Sequence, residues 1–182
     1  VPTDGRLAGV GDGKSITRYS PSLKNGVASY VRLSQKLDPS MVLISPDVGD
    51  RAELFQKFGE LFEESKLVES GAQVVSRLLE REAILSTGIG GGVAVPHAQI
   101  PGLGRLAMAA STHSNGLQYP ALDRQPVRLV FCLLGDANTA ADHLAGLARL
   151  ARLARRSSAL EPLVEAVDGD AFVVALRQLE GE

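Results

Sequence analysis

Arg81-Glu82-Ala83-Ile84-Leu85-Ser86-Thr87-Gly88-Ile89-Gly90-Gly91-Gly92-Val93-Ala94-Val95-Pro96-His97-Ala98 is the stretch that decides how this chain folds and what it does. It reads as the end of a helix, a loop with four glycines in five residues, a short strand, and a histidine placed directly after proline. Glycines permit positive φ and let backbone N–H groups crowd together, which a nest for phosphate or another oxyanion requires. Pro96 fixes its own φ and removes a donor, so His97 leaves the strand end along a restricted path. The segment can therefore hold an imidazole beside an anion site, although Thr87 and the glycines serve equally well as turn formers.

Upstream, Met41 to Ser45 is a short apolar run ending at Pro46, the pattern of a strand. Asp50 with Glu53 three residues on resembles a capping box, and Leu54, Phe55, Phe58, Leu61 and Phe62 share one helical face to about Lys66. Ser70 and Gln73 repeat the start signal, with Val74, Leu78 and Leu79 continuing a shorter helix to roughly Arg81. Downstream, Gly92 to Val95, Leu106 to Thr112 and Val127 to Leu134 read as strands. Thr139 with Asp142 opens a helix whose buried face is Leu144, Leu147, Leu150, Leu153 and Ala154, and Arg152, Arg155 and Arg156 suit its carboxyl end. Asp170 is expected to cap a last helix to about Leu179. Strand, two helices, several strands, then two or three helices predict a three-layer α/β/α sandwich with a mixed central sheet.

The chain of 182 residues suits one domain with a sizeable core, and a formal net charge of −2 gives no reason to expect nucleic acid as a partner. Residues 1 to 30, rich in Gly, Ser, Pro and Thr, are read as a flexible extension, with the domain over residues 31 to 182. Cys132, the one cysteine, sits in an apolar run and reads as a buried thiol in a reducing compartment. With no apolar run near the roughly 18 to 20 residues of a membrane span and no secretory signal pattern, the expectation is a cytoplasmic protein without direct membrane insertion.

The run of Arg81-Glu82, four residues, Thr87-Gly88-Ile89-Gly90, then Gly92-Val93-Ala94-Val95-Pro96-His97 is similar to the active-site signature of the type 2 enzyme IIA domains of the bacterial sugar phosphotransferase system. That is the fructose and mannitol type, which includes a nitrogen-regulatory branch. Asp142-His143-Leu144 with Leu147-Ala148 resembles the family's His-Leu helix, and Val31 to Leu37 looks like the opening of such a domain. The family often has Asn or Glu where Gly91 stands. The resemblance implies the phosphotransferase/anion-transport-protein fold and a phosphohistidine carrier. In it His97 accepts phosphate from phosphorylated HPr on Nε2, with Nδ1–H held by a backbone carbonyl, and passes it to an enzyme IIB cysteine. His143 would donate a hydrogen bond to the phosphoryl group, Arg81 would supply fixed positive charge, and Thr87, Gly88, Gly90, Gly91 and Gly92 would form the phosphate loop.

Other chemistries fit less well. Gly13-Lys14-Ser15 lacks the glycine that a nucleotide P-loop needs five residues before Gly13, where Ala8 stands. Gly88-Ile89-Gly90 lacks the last glycine of a dinucleotide fingerprint, Val93 standing there. No cofactor is implied, and His97, His113 and His143 share no local metal-ligand spacing. His113, beside Asn115-Gly116, reads as an exposed turn residue. Three functions compete: a phosphoryl carrier in sugar uptake, a regulator whose target binding follows the phosphorylation of His97, and a non-catalytic relative, against which the two histidines and the glycine loop argue.

Overall fold

A computed structural model describes residues 31–181, so the reading of residues 1 to 30 as an extension lies outside it. The helices are α1 (Arg51–Glu64), α2 (Gly71–Ile84), α3 (Ala140–Ala154), α4 (Glu161–Val164) and α5 (Gly169–Leu179). The strands are β1 (Val42–Ile44), β2 (Gly88–Gly90), β3 (Val93–Ala94), β4 (His97–Gln99), β5 (Ala107–Leu117) and β6 (Val127–Gly135).

The start signals are physical. Asp50 accepts N–H from Ala52 and Glu53 at 2.8 and 3.0 Å, and Ser70 accepts N–H from Gln73 at 3.2 Å, so each helix begins on a side chain that satisfies orphan donors. Leu54, Phe55, Phe58 and Phe62 of α1 and Val74, Val75 and Leu78 of α2 are buried. Helix α2 runs one turn past the expected end, to Ile84, and Leu79 points outward at 40% exposure.

The sheet has the order β1-β5-β6-β3-β2, and β4 also pairs with β6. Pairs β1/β5, β3/β6 and β4/β6 are parallel, β5/β6 and β2/β3 antiparallel, which is the expected mixed sheet. Neighbouring residues in a strand point to opposite faces, yet Ala107 to His113 in β5 and Leu129 to Gly135 in β6 are buried without interruption. Both faces are therefore covered by helices, as a three-layer sandwich demands. Cys132 lies in this centre, wholly buried, and burial pushes its thiol pKa up. Among the described residues no helix is long and apolar enough to cross a membrane.

Several local expectations change. His113 is not an exposed turn residue: it lies within β5 at 7% exposure, its Nε2 2.9 Å from Ser111 Oγ. Strand β5 continues through Asn115-Gly116 to pair Leu117 with Val127, and that dipeptide marks a register shift in the ladder rather than a reversal of the chain. Asp168, not Asp170, caps α5, accepting N–H from Ala171 at 2.8 Å. Before α3, Asp136 and Thr139 form the capping box on a 3-10 turn, and Thr139 makes no side-chain cap for α3 itself. Leu144 is 68% exposed, because the first turns of α3 face a cavity rather than the sheet.

Candidate functional site

Pro96 separates two strands that both lie along β6: Val93 and Ala94 pair with Leu129 and Val130, then His97, Ala98 and Gln99 pair with Leu133, Leu134 and Gly135. Strand β4 thus delivers the His97 ring to an open cavity of about 440 Å³ between α2 and α3, lined by Arg77, Arg81, Ile84, His143, Leu144 and Leu147 among others. Helix α3 brings His143 to the same place, its ring centroid 5.7 Å from that of His97 with the planes at 70°.

Both nitrogens of the His97 ring are engaged. Nδ1 lies 2.8 Å from the carbonyl oxygen of Val95, which can only accept, so Nδ1 carries the proton. Nε2 then holds the lone pair, and it accepts from Arg81 Nε–H at 3.2 Å. Arg81 Nη1 also donates to the carbonyl of Leu85 at 2.9 Å, a free acceptor at the end of α2. Burial lowers the pKa of His97 below the usual imidazole value and the Arg81 charge adds to this, while the Val95 carbonyl and Glu82 pull the other way. His143 is lowered by burial and by its neighbour His97. Both rings are neutral near pH 7, and His97 Nε2 is a nucleophilic lone pair at the cavity floor. His143 Nδ1 is buried with no hydrogen-bond partner among the described residues.

Behind Arg81, the side chain of Glu82 is 1% exposed and gathers donors from three parts of the fold. Its Oε1 accepts from Arg51 Nη1 at 3.1 Å and from Ser86 Oγ at 2.6 Å, and its Oε2 from Thr87 Oγ1 at 2.6 Å and Tyr119 O–H at 3.0 Å. The backbone N–H of Thr87 is shared between both oxygens at 3.1 and 3.2 Å. Sequence reading quoted Glu82 in the motif and gave it no role. Its signal was there: it falls four and eight residues after Leu78 and Val74, on the apolar face of α2, where a carboxylate must be paired.

Residues 35–178 match the family model for the phosphoenolpyruvate-dependent sugar phosphotransferase system, EIIA 2. The chain belongs to this family. Among curated relatives, the EIIA 2 chain is 37% identical over 101 residues to the PTS system fructose-specific EIIABC component of Bacillus subtilis, covering 56% of this chain and 16% of that protein. It is 37% identical over 99 residues to a nitrogen regulatory protein of Bradyrhizobium diazoefficiens, covering 54% of this chain and 65% of that one. The crystal structure of nitrogen regulatory protein IIA-Ntr from Neisseria meningitidis superposes with a TM-score of 0.72 at 30% identity, covering 79% of this chain and 98% of that chain. The EIIA 2 chain thus spans less than two thirds of the length of the curated relatives named here.

In this EIIA 2 domain the histidines and Arg81 converge as the signature implied, but the glycines do not join them at the cavity. Gly90, Gly91 and Gly92, with φ of 88°, 63° and 75°, build the tight β2–β3 turn, a conformation that L side chains rarely adopt. The N–H of Gly91 is already taken by Asp123 Oδ2 at 2.8 Å, so the nest is closed by the protein's own carboxylate. Gly88 is needed for close approach: an added Cβ would run into the backbone of Pro120 and Ala121. Thr87 is 4% exposed and donates its hydroxyl to Glu82. These five residues, expected as a phosphate loop, lie in and beside the β2–β3 turn and are not among those that line the cavity at His97.

Proposed function

We propose that this EIIA 2 domain is a phosphohistidine carrier: His97 Nε2 takes a phosphoryl group from phosphorylated HPr and hands it to the cysteine of an enzyme IIB. The observation that carries this is the pinned tautomer of His97, with Nδ1–H on Val95 and the Nε2 lone pair facing an open cavity beside a second imidazole and a guanidinium. In the first transfer the P–N bond of the donor phosphohistidine breaks, its electron pair staying with the donor ring, as the bond from phosphorus to Nε2 forms. In the second, that bond breaks and a P–S bond forms with the acceptor thiolate. Arg81 Nε–H leaves the lone pair as it is consumed and turns to the phosphoryl oxygens, where a fixed charge is worth most. The unpartnered Nδ1 of His143 is best left as a lone pair, since a buried orphan N–H is rare, and this puts its proton on Nε2 as a donor to the phosphoryl group.

Ile84 and Leu144 line the cavity at 80% and 68% exposure, and Leu85, next in the chain to Ile84, is 64% exposed, an apolar rim fit for a docking protein. The domain works in the cytoplasm, as an exchange with HPr requires. Similarity to nitrogen regulatory proteins favours a second reading, in which the same phosphorylation governs binding to a target protein. The decisive experiment is incubation with enzyme I, HPr and phosphoenolpyruvate followed by intact-mass measurement. Wild type gains one phosphoryl group and His97→Ala gains none. Gain by both variants displaces the acceptor, and gain by neither ends the carrier reading. Transfer onward to a fructose-type enzyme IIB then separates sugar uptake from regulation.

A further inference from the structure

The two ends of the His97 ring lead back to one residue. From Nδ1–H the path runs to the Val95 carbonyl at 2.8 Å, from Val95 N–H to the Thr87 carbonyl at 2.9 Å, and from Thr87 N–H and Oγ1–H to Glu82. From Nε2 it runs to Arg81, the neighbour of Glu82 on the last turns of α2. Successive helical residues point about 100° apart, so burying Glu82 against Thr87 and Tyr119 turns Arg81 toward the cavity. The links through Thr87 and Val95 use N–H and C=O groups of different peptide units, so what they transmit is position and not a proton. We infer that Glu82 is the positioning residue of this site: by clamping Arg51 of α1, Ser86, Thr87 and Tyr119 around one buried carboxylate, it sets both the tautomer of His97 and the line along which Nε2 meets phosphorus.

A clamp of this kind serves catalysis only if the geometry it holds is the reactive one, and small misplacements of a nucleophile are costly. The charge of Glu82 has a second effect, opposing the pull of burial and of Arg81 on the His97 proton. A carboxylate that merely tied α2 to the sheet would show the charge effect but leave the tautomer and the rate unchanged.

The inference rests on His97 as the phosphoryl acceptor for its kinetic arm, and on the structure alone for its spectroscopic arm. Glu82→Gln keeps the shape and replaces one acceptor oxygen with a donor that faces other donors. In the folded variant, proton–nitrogen NMR of the imidazoles should show His97 titrating at lower pH and part of its proton moved from Nδ1 to Nε2. The kcat for transfer from phosphorylated HPr should fall by about tenfold to a hundredfold with KM unchanged. Tyr119→Phe removes one donor to Oε2 while keeping the ring and the Glu82 charge, so if Glu82→Gln fails to fold it should move the tautomer and lower kcat on a smaller scale without lowering the pH at which His97 titrates. A folded Glu82→Gln variant with the wild-type His97 tautomer and kcat, whatever its titration and melting temperature, overturns the inference. If wild type takes up no phosphate, the carrier reading falls and the imidazole spectra alone decide whether Glu82 orients the ring.

Discussion

His97 and His143 meet at 5.7 Å although 45 residues of chain lie between them, and the division of labour follows from what each ring touches. His97 has its Nδ1 committed to Val95 and its Nε2 lone pair facing Arg81 Nε–H, whereas His143 has no partner on Nδ1 among the described residues, so under the carrier reading it assists from the other nitrogen. His143→Ala should therefore slow phosphorylation of His97 by about a hundredfold to a thousandfold, the range for loss of one transition-state donor, without abolishing it. Single-turnover kinetics with phosphorylated HPr measures this, and an unchanged rate would remove His143 from the mechanism. The meeting of Arg81 and His97 was legible because one motif fixes their spacing, and that of His143 because a second block, Asp142-His143-Leu144, resembles the family's His-Leu helix. The engagement of the Gly91 N–H was not legible, because its acceptor Asp123 lies more than thirty residues downstream and nothing local announces the pairing. Glu82 was half legible, its helical phase visible and its partners on α1 and after β5 not.

At the scale of elements, caps and strand ends decide where sequence signals succeed. Both Asp168 and Asp170 stand near the start of α5, but only Asp168 has the extended backbone of an N-cap and bonds the N–H of Ala171. Asp168→Ala should cost about 1 kcal/mol in urea unfolding, whereas Asp170→Ala should stay within about 0.5 kcal/mol; equal losses would contradict the cap. Helices α1 and α2 were readable from capping side chains and apolar period together. The short strands β2 and β4 were not, since three residues carry no period of their own and their pairing is dictated by β3 and β6. Turn chemistry also misled at Asn115-Gly116, where Gly116 at φ 81° absorbs an irregularity inside the longest strand instead of reversing the chain.

For the molecule as a whole, the three histidines give stability a common dependence on acid. Each has a pKa lowered by burial, that of His113 to about 4, so on acidification the unfolded chain binds protons before the native state does. Their contribution is complete above the unfolded value near 6.5 and is lost as pH falls toward the native values. For His113 the loss between pH 7 and pH 4 amounts to about 3 kcal/mol. Urea midpoints taken across that range should fall steadily for wild type and less steeply for His113→Gln; parallel slopes would mean that His113 is protonated without penalty. The layered architecture was readable from element order, while the burial of His113 depended on which helices close over β5.

The carboxylate of Glu180 accepts N–H from Leu33 and Ser34 at 2.9 and 3.0 Å and is gripped by Arg149 Nε at 2.6 Å, its side chain 1% exposed. Arg149 belongs to the helix of His143. A fusion or proteolytic nick at either margin of the domain accordingly pulls on the same buckle, and strain applied there reaches the helix of His143 without passing through the central sheet.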